Sequence, residues 1–445
     1  MERMSDERIK TPMLGRPAAA SRPSAERVTA GPADGDVSIE SLENRYPRSR
    51  ALLERAERVI PGGHHLTGRP LGDTARTPMY MAEGRGARVV DVDGHAYTDW
   101  VMAFGPFLLG YAHPEVDAAG CAQMARGPLL SMNHPIHVEY IEALVARLPG
   151  AEMGAFFRTG SEATTAALRI ARRATGRTVV VRAGYHGWHD WCFPTEAFVP
   201  RGLAEQVLEF RADDPDTLQA CFDARPGEIA AVIVAPEMVI PTRGEIFHEL
   251  ARITRQGGAV FVFDEVKTAL RVAPGSIQQR IGLRPDLTTL SKALGNGWPI
   301  AAVLGSRAVM DHAAGMHLSA TYHGDTAAMK ASLKTLEIVD RDRVAEHVDA
   351  LGGRLIAGLN RIAASHRVPA VAYGEPLPPM PFLRFEHPDA ARNDVLRATF
   401  YEQVLAHGVL LHPRHMWFVS DAHTATDVDT TLEVCDAAMR CAASA

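Results

Sequence analysis

The 445-residue sequence has no apolar run approaching the ~20 residues that a membrane-spanning helix requires. Its first residues hold no apolar core of the kind a secretion signal carries. Charge of one sign is scarce as well: a net charge of −6 gives no electrostatic footprint for nucleic acid. Five cysteines (Cys121, Cys192, Cys221, Cys435 and Cys441) stand apart without CxxC or zinc-type spacing, which predicts reduced thiols in a cytoplasmic protein. Internal repeats and heptads are missing too. A dinucleotide-binding G-x-G-x-x-G needs a preceding strand and a following helix, whereas Gly84-Arg85-Gly86 stands before a strand and lacks that frame. An NAD-dependent oxidoreductase is therefore set aside. His64 and His65 have no further ligands at metal spacing, so no metal site is expected and a polar substrate loop is. What is left is a soluble protein with no nucleic-acid or membrane partner.

What is present has an order. Residues 1–38 are rich in Ala, Pro, Ser, Gly and Arg without periodicity and are expected to be a disordered extension. Residues 39–99 form an N-terminal segment of helix and hairpin. A helix is expected over Ser49–Val59, ending at Pro61-Gly62-Gly63, and the turn Asp93-Gly94 between Arg88–Val92 and Ala96–Trp100 is a hairpin signal. Over 100–330, short apolar strands (Thr178–Val181, Ile229–Val234, Ala259–Phe263, Ala301–Leu304) alternate with helices such as Glu162–Ala174 and Pro215–Ala224. Continuously apolar strands belong where helices cover both faces, so a large α/β domain with a mainly parallel sheet is predicted. Residues 331–445 read as a smaller α+β C-terminal domain. Its helices are expected from Ala327 towards Asp340, over Val344–Ser365 and over Val395–His407, and its strands at Phe382–Phe385, near Val409 and near Trp417.

Four short stretches carry chemical interest. In Arg158-Thr159-Gly160-Ser161-Glu162, Thr159 and Glu162 stand at capping-box spacing, which leaves the Gly160 and Ser161 amides at a positive helix end suited to a phosphate. Alone, such a start is more often an ordinary capped helix. Asp264 ends the strand Phe261–Phe263, where open α/β sheets place ligands; it is either a local cap or a carboxylate held against a ring nitrogen. Lys292, between Ser291 and Ala293-Leu294-Gly295-Asn296-Gly297, is either a surface lysine or a Schiff-base lysine made reactive by desolvation. Tyr185-His186-Gly187-Trp188-His189 follows a strand and offers an aromatic that could stack on a flat cofactor or simply pack its own loop.

Taken in order over roughly residues 45–440, these stretches resemble the class III, fold type I, pyridoxal 5′-phosphate (PLP)-dependent aminotransferases, nearest in pattern to the glutamate-1-semialdehyde aminomutase branch. The resemblance is carried by Asp91-Val92-Asp93-Gly94, Thr159-Gly160-Ser161-Glu162-Ala163, Tyr185-His186-Gly187, Asp264-Glu265-Val266 and Pro285-Asp286-Leu287 with Ser291-Lys292. It implies PLP as cofactor, with Lys292 as the Schiff-base lysine and Asp264 on the pyridine nitrogen. It further implies Tyr185 and Val266 on the two ring faces and Gly160 and Ser161 at the phosphate. Thr321 would reach the phosphate of a neighbouring subunit in a homodimer with shared sites. Arg69 occupies the position of a carboxylate-gripping arginine and is either that or a structural ion-pair partner, and His65 and Trp188 are candidate substrate contacts. One departure stands out: the family's Glu-Pro pair is Ala235-Pro236 here, and the Glu237 that follows is expected to point elsewhere.

The resemblance implies transfer of an amino group from an amine donor to a carbonyl acceptor. Aminomutase and epimerase activity stay open beside it, because all three begin with the same proton abstraction. A non-catalytic protein on this fold would be expected to lose Lys292 or Asp264, and both are present. The aromatic and polar loops, together with an Ala/Arg-rich composition, favour a secondary-metabolism substrate: an amino-sugar aldehyde of antibiotic biosynthesis, or a cyclic keto acid that would use Arg69.

Overall fold

In the computed structural model, residues 45–63, 79–196, 198–238, 244–374 and 377–445 are described. The expected N-terminal extension and the loop holding His64, His65 and Arg69 lie outside them. Strands come in chain order as β1 (Met81–Arg85), β2 (Arg88–Asp91), β3 (Ala96–Asp99), β4 (Met153–Phe157), β5 (Val179–Ala183), β6 (Val207–Glu209) and β7 (Ile229–Val234). They continue with β8 (Val260–Asp264), β9 (Leu287–Leu290), β10 (Ala301–Gly305), β11 (Ala370–Tyr373), β12 (Phe382–Phe385) and β13 (Val409–Leu410). The longer helices are α1 (Pro47–Ala56), α2 (Pro114–Met124), α3 (Pro135–Val145), α4 (Gly160–Thr175), α5 (Pro215–Ala224), α6 (Glu245–Gln256), α7 (Thr326–Arg341), α8 (Val344–His366), α9 (Ala390–Ala406) and α10 (Ala425–Ser444).

The seven-stranded sheet has the order β4-β10-β9-β8-β7-β5-β6. Neighbours from β9 to β6 pair in parallel, and β10 runs antiparallel to both β4 and β9. The expected α/β fold is thus present with one reversed strand. Every residue of β7 and β8 is buried, as strands covered on both faces must be. The aromatic side chains of Phe261 and Phe263 stack within that core, and each such burial contributes roughly 1.5–3 kcal/mol. A second sheet, β1-β2-β3-β13, joins the expected hairpin to a strand near the other end of the chain; β3 and β13 pair in parallel.

Three differences from the sequence expectations have local causes. Trp417 lies in no strand. Its amide bonds to Pro381 O at 2.8 Å, and the next amide, Phe418, turns to Trp100 O at 2.7 Å, so neighbouring donors serve different partners and form no ladder. Helix α9 begins at Ala390, five residues before Val395, because Asp389 caps it by accepting from the Arg392 amide at 2.9 Å. The N-terminal helix starts earlier than expected, at Pro47, and stops at Ala56. Proline at the first helical position needs no amide partner. Among the described residues, no helix is long and apolar enough to cross a membrane.

Candidate active site

The carboxyl ends of four neighbouring strands and the start of α4 meet at one cavity of about 190 Å³ that opens to solvent. Gly160, Ser161, Tyr185, His186, Gly187, Glu237, Asp264, Val266, Lys267, Ser291 and Lys292 line it. Sequence reasoning placed six of these at a site: Gly160, Ser161, Tyr185, Asp264, Val266 and Lys292. The fold brings all six to the same cavity.

Helix α4 is closed by a full capping box. Thr159 Oγ1 accepts from the Glu162 amide at 3.3 Å, and Glu162 Oε2 accepts from the Thr159 amide at 2.8 Å. The Gly160 and Ser161 amides, at the first two positions of the helix, have no carbonyl of their own helix to bond. Glycine is required at two points of this corner. A Cβ on Gly160 would stand 2.8 Å from Val266 Cγ1. One on Gly187, whose φ is +118°, would stand 2.2 Å from Ser161 Oγ. A cradle of free amides that a methyl group would fill suits a phosphate.

Asp264 is almost wholly buried, yet each of its oxygens is bonded. Oδ1 accepts from Thr289 Oγ1 at 2.8 Å and from the Val266 amide at 3.1 Å, and Oδ2 meets His186 Nδ1 at 2.7 Å. His186 in turn stacks on Trp191. Such a clamp fixes a carboxylate's direction while leaving it able to face a cationic ring N–H. The next residue, Glu265, points the other way. It accepts from the Ile277 and Gln278 amides and from Thr268 Oγ1, and burial pushes its carboxyl up to about 7.

Lys292 follows β9 with a left-handed backbone, φ 45°. Its Nζ donates to Phe104 O at 2.8 Å. Phe104 is the third of four consecutive residues with positive φ: Met102 at 46°, Ala103 at 50°, Phe104 at 65° and Gly105 at 105°. Buried Asp99 secures that turn by accepting from the Val101 amide at 2.7 Å and the Met102 amide at 3.1 Å. Burial pushes the Lys292 amine down to about 7. The Lys267 and Arg271 cations push in the same direction, against the pull of Glu237 and Asp264. A substantial share of the amine is therefore neutral near pH 7, as a nucleophile or base must be.

Three expected contacts are more exposed. Tyr185 is half exposed, with Lys267 Nζ 5.2 Å from its ring centre. Trp188 is exposed and reaches Ser161 only through its backbone, the Trp188 amide lying 3.4 Å from Ser161 Oγ. Thr321 is exposed and does not line the cavity, although its loop is tied to the start of α4 through Arg158–Asp325 at 2.7 Å and His323–Glu162 at 3.3 Å. Contrary to expectation, Glu237 does not point elsewhere: it turns into the cavity and pairs with Lys267 at 2.7 Å. The turn Pro236–Met238 just after β7 re-aims its side chain, which strand alternation alone could not foretell. His186, Lys267 and Glu237 were not singled out as site residues; the one signal was Glu237, a charged residue directly after the apolar run 229–236.

The "Aminotransferase class-III" family model matches residues 72–432. A 3-aminobutyryl-CoA aminotransferase of Cloacimonas acidaminovorans is 35% identical, over 87% of this chain and 96% of its own. A glutamate-1-semialdehyde 2,1-aminomutase of Desulfitobacterium hafniense is 34% identical over the same shares. Among solved structures, the PLP internal aldimine form of the FumI protein of Sphingopyxis sp. is 32% identical. It superposes with a TM-score of 0.82 over 88% of this chain and 95% of that one.

Proposed function

The chain belongs to the class III aminotransferases and uses pyridoxal 5′-phosphate, and from that premise we propose that it moves an amino group from an amine donor to a carbonyl acceptor, with Lys292 as the reacting group. The observation that carries this reading is the meeting of a depressed lysine amine, a clamped buried carboxylate and a free-amide helix start in one cavity. In this reading Gly160 and Ser161 hold the phosphate, Asp264 holds the ring nitrogen, and Tyr185 and Val266 cover the ring faces. The bound cofactor supplies an electron sink that makes a C–H bond beside nitrogen acidic. Lys292 takes that proton at Nζ and returns it to another carbon, and Phe104 O steadies the amine between these roles.

Supporting a homodimer with shared sites, Trp188, Phe198 and Tyr322 present large exposed rings. Thr321, beside Tyr322, is then free to reach a partner's phosphate. Arg69 and His65 are proposed substrate contacts in the N-terminal loop. An amino-sugar aldehyde of antibiotic biosynthesis is the proposed acceptor, in a cytoplasmic enzyme divided at residues 38, 99 and 330. The aminomutase reading stands second because of the 34% identity to an aminomutase.

The test labels the protein at its amine. Borohydride treatment of the cofactor-loaded enzyme should fix the cofactor to the peptide containing Lys292. In the cofactor-free protein, Lys292 should react with an amine reagent near pH 7 and lose that reactivity as the pH falls through 7, unlike ordinary lysines. Labelling at Lys267 or Lys330 instead overturns the assignment. Interconversion of isomers with no external donor moves the chain to the aminomutases.

A further inference from the structure

Beside the residues assigned to the cofactor's nitrogen, carbonyl carbon and phosphate, the cavity lining holds a Glu–Lys ion pair. Glu237 and Lys267 are each more than nine-tenths buried, and they form a 2.7 Å ion pair between the ends of the adjacent strands β7 and β8. Only one Glu237 oxygen takes part. The other, Oε2, is buried and has no hydrogen-bond partner among the described residues. A buried ion pair is seldom worth more than the apolar side chains that could replace it, and an orphaned carboxylate oxygen makes it costlier still. Both residues line the cavity. The free oxygen is therefore an acceptor awaiting an O–H or N–H, and it stands beside an ammonium that has further protons to donate.

A hydroxyl group satisfies both with a single atom, because it donates one hydrogen bond and accepts others. A bare carboxylate would bring its charge against Glu237. An apolar chain would leave both groups unmet. Resting on the aminotransferase reading, we infer that Glu237 and Lys267 form a specificity pair that reads a hydroxyl close to the reacting carbon, so that the preferred substrates are hydroxylated amines and their carbonyl counterparts.

The experiment measures binding in the cofactor-loaded protein, through the change in its absorbance, with 1-amino-2-propanol and with 1-aminopropane. Wild-type protein should bind the hydroxylated amine at least tenfold more tightly. In Glu237→Val/Lys267→Met, where neither charge is left unpaired, the two affinities should converge. Glu237→Gln should lose most of the preference through a weaker acceptor. Equal affinities in wild type, or a preference that survives the double substitution, would refute the pair's role. If the double substitution changes the absorbance of the resting protein but not the preference, the pair serves the cofactor's ring hydroxyl and the inference fails. Should no amine perturb the wild-type absorbance while borohydride still fixes the cofactor to Lys292, the aminotransferase reading itself falls, and this inference with it.

Discussion

Two buried carboxylates stand at the ends of adjacent strands, and they differ in completeness. Asp264, the last residue of β8, has both oxygens bonded, to Thr289, Val266 and His186. Glu237, after β7, has one oxygen paired with Lys267 and one with no partner among the described residues. A fully bonded carboxylate holds one direction and one charge and suits a fixed occupant that is present at every turnover. A half-bonded one is finished only by a visitor. The difference separates the permanent side of the cavity from its exchangeable side.

The comparison breaks most clearly at Asp264. Asp264→Asn keeps the shape and removes the charge, and turnover should fall by roughly 10²–10³-fold, the scale for losing one preorganised charge-stabilising group. Single-turnover kinetics with an amine donor measures it, and near-normal rates would show that Asp264 is not the ring partner. The next effect comes from the clamp. His186→Phe keeps the stacking on Trp191 and removes the bond to Asp264. Turnover should fall by roughly 10- to 100-fold, since a hydrogen bond to a charged group is worth about 1.5–3 kcal/mol. The cofactor's absorbance should shift with it, which a purely structural loss would not produce. The smallest effect sharpens the other side. Glu237→Val/Lys267→Met should leave the unfolding free energy unchanged or raise it by about 1–2 kcal/mol in denaturant titration, as replacement of buried ion pairs commonly does. A marked loss of stability would place the pair among the fold's supports.

How much of this was legible in the sequence follows the same division. Strand Ile229–Val234 and helix Pro215–Ala224 were read to the residue, because apolar runs and a proline start are local signals. The residues at the permanent side were found because each sits at a strand end or helix start that the chain announces. Glu237 was misjudged because a short turn after β7 sets its direction, and no local pattern encodes which way such a turn faces. His186 was quoted as part of a motif but not understood, since its partner Asp264 lies on another strand. Strand β4, Met153–Phe157, went unread because its Gly154 and Ala155 weaken the apolar run; it is recognisable only once paired with β10.

The seat of the Lys292 amine has a consequence for how the molecule comes into being. Phe104 O is aimed by a turn secured by Asp99, and Asp99 ends β3, whose parallel partner β13 comes from the far end of the chain. Closing so long a stretch of chain is entropically expensive and belongs late in assembly. The carbonyl that seats the amine thus hangs on a strand held from the far end of the chain. A chain shortened before β13 is expected to seat Lys292 less firmly, which amine labelling of that shortened protein would measure.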